Sequence, residues 1–326
     1  MSCQRVWRTV ILGCLLVLCW PDGELRADTS FPDYYEMNNR ANRLSPSEIP
    51  ELIARADAGD VTSQILLGLA YQNGHGVRED HTTSFNWYLK AAEQGNAMGE
   101  NLLGLAYDLG MGVQQDGLQA ITWFRRSAEQ KDYTGQRNLA VSLKNGVSLS
   151  KNLKDAKDEV QRDAEAGEVA AQIALGLAFA GEHNRLGIRK DPGQAAMWLE
   201  KASDTGSPIA QTNFAALCFA GMGVQRNEDR GLQLLLMATE TRYAEAFYFL
   251  GKVYEHGQGV NKNKQTADMY YVLAEDSGKE VFEQRHGNVF TGGIAIFPDQ
   301  RISLADAKEA RRLANKWEAT HEHGSK

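Results

Sequence analysis

A period of 36 residues runs through this chain of 326 residues. Glycine and tryptophan residues recur at that interval in pairs: Trp87 and Trp123, Gly68 and Gly104, Gly76 and Gly112, and Gly223 and Gly259. A fixed period of this size is typical of stacked supersecondary units, because one unit alone has nothing against which to bury its apolar face. The chain is therefore expected to be a repeat protein.

One clear unit begins near residue 61. Its first part, about 61–73, and its second part, about 82–94, each carry apolar residues at helical spacing. Gly74 and Gly76 between the two parts supply the backbone freedom that a reversal needs. Gly95 ends the second part as a left-handed cap. Each unit is predicted to be a helix, a glycine turn and a second helix.

These residues resemble the Sel1-like repeats, relatives of the tetratricopeptide repeat with a slightly longer turn. The resemblance rests on an ordered pattern of Leu-Gly-x-x-Tyr, then Gly-x-Gly-Val, an aspartate, an aromatic pair beginning with Trp, and Lys-Ala-Ala-Glu-x-Gly. The structural positions of the pattern are Gly68, Tyr71, Gly76 and Trp87; Gly104, Tyr107, Gly112 and Trp123; Gly176 and Trp198; Gly223; and Gly251, Tyr254 and Gly259. The resemblance implies an all-α, right-handed α-solenoid of stacked helix-turn-helix repeats.

Following the period gives six copies over residues 60–278, of which the third and fifth are degenerate. The third copy has Ala140 at the glycine position and Glu159 at the tryptophan position. The fifth copy has Ala215 at the glycine position, and the fourth fits only after three extra residues in its turn. We expect the three tryptophans of the pattern to be largely buried.

The segments outside the repeats have distinct expected roles. Residues 28–46 are expected to be an N-terminal linker and residues 47–59 a capping helix. Residues 279–300 form an irregular apolar insertion, which we expect either to seal the last helices or to dock a partner. Residues 301–326 are expected to be a C-terminal capping helix and tail, because a solenoid needs closing elements at both ends.

Residues 1–27 have the pattern of a secretory signal peptide. Two arginines precede an apolar run at 10–20, and a small-residue cleavage site follows. The chain is therefore expected to be exported and to be periplasmic or secreted. Lipidation is the alternative, but Cys14 comes too early and Cys19 follows a leucine, so contact with a membrane is expected only if this alternative holds.

Composition narrows the class of partner. The three cysteines near the N-terminus leave with the signal peptide, so Cys218 remains alone and no intramolecular disulfide is expected. This differs from the cysteine-rich branch of the resembled family. The formal net charge is −7 and the chain has no basic stripe, which argues against binding nucleic acid.

The resemblance also implies where a partner would bind. Repeats of this kind bind along the inner face of their first helices, at the second, fifth, ninth and twelfth positions of each. The inner-face residues so predicted for partner binding are Ile173, Leu177, Ile209, Thr212, Phe219, Tyr248, Lys252 and Glu255. If exposed, this apolar surface would suit an extended peptide or an amphipathic helix. The other interpretation is that several of these side chains are buried between repeats.

No catalytic constellation is present in the sequence. The single Ser-x-x-Lys pattern, from Ser148 to Lys151, lacks the companion motifs of a serine site, and His321 and His323 lie in a polar tail. No catalytic residue, metal or small-molecule cofactor is predicted. We therefore expect a non-catalytic scaffold, adaptor or regulator that binds protein partners in the bacterial envelope. The alternatives are an enzyme acting on cell-wall material, which a convergent polar cluster in the groove would favour, or a eukaryotic lumenal adaptor.

Overall fold

The computed structural model describes residues 30–146, 153–181, 185–277 and 312–317. Every regular element within these ranges is a helix, and a helical segment at 312–317 follows fourteen longer helices. The helices are α1 (Ser30–Ala41), α2 (Ile49–Asp57), α3 (Val61–Asn73), α4 (His81–Glu93), α5 (Ala97–Leu109), α6 (Gly117–Glu129), α7 (Tyr133–Lys144), α8 (Leu153–Ala166), α9 (Val169–Ala180), α10 (Pro192–Ser203), α11 (Pro208–Ala220), α12 (Glu228–Thr239), α13 (Ala244–His256) and α14 (Lys264–Asp276).

The helices pair and stack in a repeated order, as predicted for an all-α, right-handed solenoid. Five hairpins form where each first helix packs on the helix that follows it: α3 on α4, α5 on α6, α9 on α10, α11 on α12, and α13 on α14. The second helix of a hairpin then packs on the first helix of the next copy, as α4 does on α5.

The tyrosine and aspartate of the repeat pattern close the turn between the two helices. Asp80 caps α4, because its carboxylate accepts the backbone N–H groups of Thr82 and Thr83 at 3.0 and 3.2 Å. Its own N–H donates to the carbonyl of Tyr71 at 2.9 Å. The equivalent backbone bonds join Asp116 to Tyr107, Asp191 to Phe179, Asn227 to Cys218, and Asn263 to Tyr254. The turn is thus fixed by the same pair of positions in five copies.

In four copies, a glycine inside the first helix makes room for a side chain of the second helix. A Cβ atom at Gly68 would overlap the ring of Tyr88, which is fully buried and donates its hydroxyl to Gln72 at 2.9 Å. The equivalent pairs are Gly104 with Phe124, Gly176 with Leu199, and Gly251 with Tyr271. The hairpin therefore depends on a missing side chain at this position.

The tryptophans differ in burial. Trp87 and Trp198 are buried, whereas Trp123 is partly exposed and thus the least buried of the three. Trp123 packs against the core of the first two copies, and the guanidinium of Arg126 lies over its ring at 4.6 Å. The corresponding cation over Trp87 is Lys90, at 4.0 Å. Each of these rings thus combines apolar packing with a basic side chain over the ring.

The third copy departs from the hairpin arrangement. Its two helices, α7 and α8, do not pack along each other, and α9 packs directly on both of them. Ala140 occupies the position of the helix glycine, and the residue at the position that matches Tyr88 is the smaller Val160, which is buried. Alanine at the glycine position does not by itself open a hairpin, since α11, with Ala215, still packs on α12.

The ends of the solenoid are only partly as expected. The stretch 28–46 was expected to be a linker, but it contains α1, which packs on α3 and reaches α7. Helix α2 lies within the expected capping segment and buries Ile49, Leu52 and Ala56. Of the expected C-terminal helix, residues 312–317 are described and helical; residues 1–27 and 279–300 lie outside the described ranges.

Candidate protein-binding surface

The predicted binding residues of the fourth and fifth copies belong to the core. Ile173, Leu177, Ile209 and Phe219 are at most 2% exposed, and Thr212 is 6% exposed. The expectation that they form an exposed apolar trough is therefore wrong. A partner cannot reach these side chains without opening the solenoid.

Two arrangements bury them. Phe219 packs between repeats, on Gly231 of α12 and on the ring of Phe249 in α13. Ile173, Leu177 and Ile209 share a core with residues of α7, because the inner face of the solenoid closes there.

The hydroxyl of Ser207, just before α11, donates to the side-chain oxygen of Gln136 in α7 at 3.2 Å, although the two residues are 71 positions apart. Since the helices of the third hairpin are not paired, α9 packs directly on α7, and α11 also contacts α7. The side chains that would line an open groove instead pack against each other.

A buried charged cluster crosses this closed interior. Arg137 in α7 is 5% exposed and interacts electrostatically with Glu245 and Tyr243 at the start of α13. Burial lowers the pKa of Arg137 to about 10, while the carboxylate of Glu245 acts in the opposite direction. Burial also raises the pKa of Tyr243. The cluster joins the third copy to the sixth, which spacing along the chain gave no reason to expect.

The inner face remains accessible on α5 and α7. The second and ninth positions of α5 are Met98 and Leu105, and the ninth position of α7 is Val141; all three side chains are half-buried. These are the same inner positions that are closed off in α9 and α11. The accessible apolar surface therefore lies in the second and third copies, whereas the sequence predicted it in the fourth to sixth copies.

Two charged groups stand at the twelfth positions of these helices. Burial raises the pKa of Asp108 in α5 and lowers the pKa of Lys144 in α7. In the first copy the same position is Gln72, which accepts the hydroxyl of Tyr88, but the second copy has Phe124 in place of that tyrosine and so lacks the hydroxyl. Asp108 therefore does not receive the bond that its counterpart in the first copy receives.

The structure does bring together the predicted residues of the sixth copy. The amine of Lys252 lies 5.5 Å from the ring centre of Tyr248, 5.7 Å from that of Tyr271 and 3.8 Å from a carboxylate oxygen of Glu255. Tyr271 donates its hydroxyl to Glu255 at 2.7 Å. The pKa of Tyr271 is raised, chiefly by burial and secondly by the neighbouring Glu255 carboxylate. Tyr271 was not among the predicted binding residues because it lies on the second helix.

This cluster is part of the packing of the repeat. The bond from Tyr271 to Glu255 occupies the same repeat positions as the bond from Tyr88 to Gln72 in the first copy. Lys252 is only 4% exposed, so it is largely closed to a substrate. The cluster thus gives no support to the alternative of an enzyme.

Other candidate chemistry is sparse in the described ranges. Among those residues, no group of three or more His, Cys, Asp or Glu side chains is arranged to hold a metal ion. Cys218 is buried, and burial raises the pKa of its thiol, so it behaves as a small apolar side chain. The Ser148 to Lys151 motif, His321 and His323 lie outside the described ranges.

Among the described helices, none is both long enough and apolar enough to cross a bilayer.

Comparison with known proteins gives the family. The sequence pattern of the Sel1 repeat matches residues 61–96, 97–132, 169–207, 208–240 and 244–279. These matches coincide with the five hairpins and omit the third copy, in which α7 and α8 are not paired.

Solved structures with related sequences include three bacterial proteins. A Sel1 repeat protein from Oxalobacter formigenes is 26% identical, with 76% of this chain and 97% of that chain covered and a TM-score of 0.42. The protective antigen c5321 of uropathogenic Escherichia coli, which displays an SLR fold, is 22% identical, with coverages of 90% and 68% and a TM-score of 0.37. The immunity protein Pa5087 from Pseudomonas aeruginosa is 19% identical, with coverages of 82% and 83% and a TM-score of 0.42.

Sel1 repeat proteins generally mediate protein–protein interactions, and their fold is typically a non-catalytic scaffold. The five matched repeats together span more than half of this chain. The chain therefore belongs to the Sel1 repeat family.

Proposed function

We propose that this protein is a non-catalytic adaptor or regulator that holds a protein partner against the inner face of α5 and α7. The observation that carries the proposal is the half-buried apolar strip of Met98, Leu105 and Val141, at positions that are closed in the later copies. An apolar strip at the inside of a repeat protein is a surface on which an extended peptide or an amphipathic helix can bury its own apolar face.

The charges beside the strip suit a polar partner segment. Asp108 and Lys144 carry opposite charges at equivalent positions of neighbouring helices, and burial disfavours the charged form of both. A partner that places a cation near Asp108 and an anion near Lys144 would relieve that cost. The strip would then supply the contact area, and the two charges would set the direction of the bound segment.

We also propose that the protein acts in the bacterial envelope after export. The support is the signal-peptide pattern of residues 1–27, with its arginines, apolar run and cleavage site. Fractionation of cells that express the chain, with N-terminal sequencing of the product, tests this. A product in the cytoplasm that retains Met1 would contradict it.

The binding surface is tested by site-specific photocrosslinking in the native cells. A photoreactive phenylalanine analogue is placed at Val141 on the inner face or, as the control, at Met237, which is 50% exposed on α12. A discrete crosslinked protein from position 141, absent from position 237, is expected. Adducts from position 237 alone would contradict the proposed surface.

A point variant adds an independent readout. Val141→Asp places a charge in the apolar strip and should abolish recovery of the crosslinked partner, whereas Met237→Asp should leave it unchanged. Circular dichroism of both variants checks that the helices are intact. Undiminished recovery with Val141→Asp would also contradict the proposal.

A further inference from the structure

Helix α1 packs on α3 and covers the C-terminal end of that helix. The side-chain oxygens of Asn38 and Asn42 both accept from the amide nitrogen of Asn73, the last residue of α3, at 3.3 and 3.1 Å. Ala41, between them, is completely buried, and Met37 packs against the same core. One stripe, formed by the end of α1 and the residue that follows it, thus makes both the polar and the apolar contacts.

The position of α1 differs from that of the other helices of the solenoid. It packs on α3 and reaches α7, but it does not pack along α2, the helix that follows it in the chain. Within five hairpins, by contrast, each first helix packs on its own successor. Because the helices on which the described part of α1 packs are the first helices α3 and α7, α1 can leave its place without breaking a hairpin.

We propose that the surface of α3 beside Asn73 is a docking site for a partner helix, and that α1 is the built-in occupant which the partner displaces. This inference rests on the proposed function and names the chemistry of the partner. The site lies beside the accessible strip of α5 and α7, since α1 extends from α3 to α7. A partner helix could therefore use both surfaces.

The contacts of α1 define the residues that the partner helix needs. The position equivalent to Ala41 must be small, because that side chain has no exposed area. The positions equivalent to Asn38 and Asn42, one helical turn apart, must carry a hydrogen-bond acceptor for Asn73. The position of Met37 takes an apolar side chain. The recognised pattern is apolar-Asn-x-x-Ala-Asn on one face of a helix.

A fluorescent peptide with the sequence of residues 30–46 is the probe for this site. In the full chain, α1 is tethered and competes at an effective concentration on the order of millimolar, so the free peptide should bind weakly. Ala41→Glu in the chain places a charge where no space or water is available and should release α1. We expect the peptide to bind the Ala41→Glu chain at least about tenfold more tightly than the natural chain, as measured by fluorescence anisotropy.

Matched controls separate docking from nonspecific binding. A peptide that itself carries Ala41→Glu should bind neither chain, and adding Asn73→Ala to the Ala41→Glu chain should weaken binding of the natural peptide. If Ala41→Glu unfolds the chain, the variant Asn38→Ala/Asn42→Ala, which removes only the amide contacts, replaces it. If a variant that releases α1 is folded but binds the peptide no more tightly than the natural chain does, the inference is overturned.

The outcome is distinguishable from failure of the proposed function. A partner that still crosslinks at position 141, together with no peptide binding to the released chain, would overturn the role of α1 and leave the adaptor function standing. Peptide binding as expected, with a crosslinked partner recovered in larger amount from the Ala41→Glu chain, would support both.

Discussion

At the scale of single residues, the repeat pattern specifies contacts that can be traced one by one. The glycines form the hairpin turn as expected, and the structure adds that the tyrosine and aspartate positions close it with a backbone hydrogen bond. The glutamines were not predicted: Gln64 donates to the carbonyl of Ala56 at 2.9 Å, and Gln172 donates to that of Ala164 at 3.1 Å. Each bond ties a first helix to the end of the preceding second helix. A polar residue inside a helical pattern looks like surface in a sequence, so this role could be found only from the structure.

The helix glycine of the first copy makes a prediction about packing. Gly68→Ala would force the new methyl group into the buried ring of Tyr88, and overpacking of this kind costs about 1–3 kcal/mol of unfolding free energy. Gly95→Ala is the matched comparison, because nothing lies near its Cβ position but its φ of +76° is left-handed. It should cost about 1 kcal/mol through backbone strain alone. Urea unfolding measures both; a negligible effect of Gly68→Ala would contradict the register of α3 on α4.

The tryptophans make a second prediction, because their burial differs. Trp87→Ala and Trp198→Ala remove buried rings and should each cost about 3–5 kcal/mol. Trp123→Ala should cost clearly less, since this ring is only half-buried. Thermal unfolding of the three variants measures the order of their losses of stability. Equal losses for all three would show that Trp123 is as well packed as the others.

At the scale of helices, the caps explain where each element begins. Asp60, Asn96 and Asp132 each cap a first helix through the side chain, and Asp132 is the most deeply buried of them. Its carboxylate accepts from the hydroxyls of Ser127 and Thr134 at 2.7 and 2.6 Å. The position of such caps follows from the sequence, but the burial of one carboxylate depends on how the second and third copies meet.

Burial of Asp132 leads to a prediction about pH. Burial raises the pKa of Asp132 despite its hydrogen bonds, so the folded chain holds this proton more tightly than the unfolded chain does. Stability from this residue therefore falls as the pH rises from the unfolded pKa of about 3.9 through the raised folded pKa. Asp132→Asn keeps an acceptor without the charge, so the stability of the natural chain relative to this variant should decrease with rising pH in urea unfolding.

A further variant separates the cap from the charge. Asp132→Ala removes the acceptor altogether and should be about 1 kcal/mol less stable than Asp132→Asn at every pH, because neither variant titrates at this position. If the difference in unfolding free energy between the natural chain and Asp132→Asn does not change with pH, a buried carboxylate does not titrate at this position.

At the scale of the whole molecule, the solenoid and its hairpins follow from the 36-residue period, but the closed interior does not. Spacing places Ile173 and Ile209 on an inner face, and it carries no information on whether that face is open. The closure depends on the third copy, where the unpaired helices let α9 pack on α7. The departure of one copy from the hairpin arrangement thus decides which part of the surface is left for a partner.

The link between Arg137 and Glu245 tests this closure. Arg137→Ala would remove the buried charge that interacts with the partly buried Glu245 carboxylate, and its cost should lie between the about 0–1 kcal/mol of an exposed pair and the about 3–5 kcal/mol of a fully buried pair. Arg226→Ala is the control, because its pairing with Glu228 is exposed and should be worth about 0–1 kcal/mol. If the link holds the third and sixth copies together, Arg137→Ala should also increase the radius of gyration in small-angle X-ray scattering. Unchanged scattering with a loss below about 1 kcal/mol would mean that apolar packing alone closes the interior, and the partner-accessible surface would then be set by the core rather than by this charge pair.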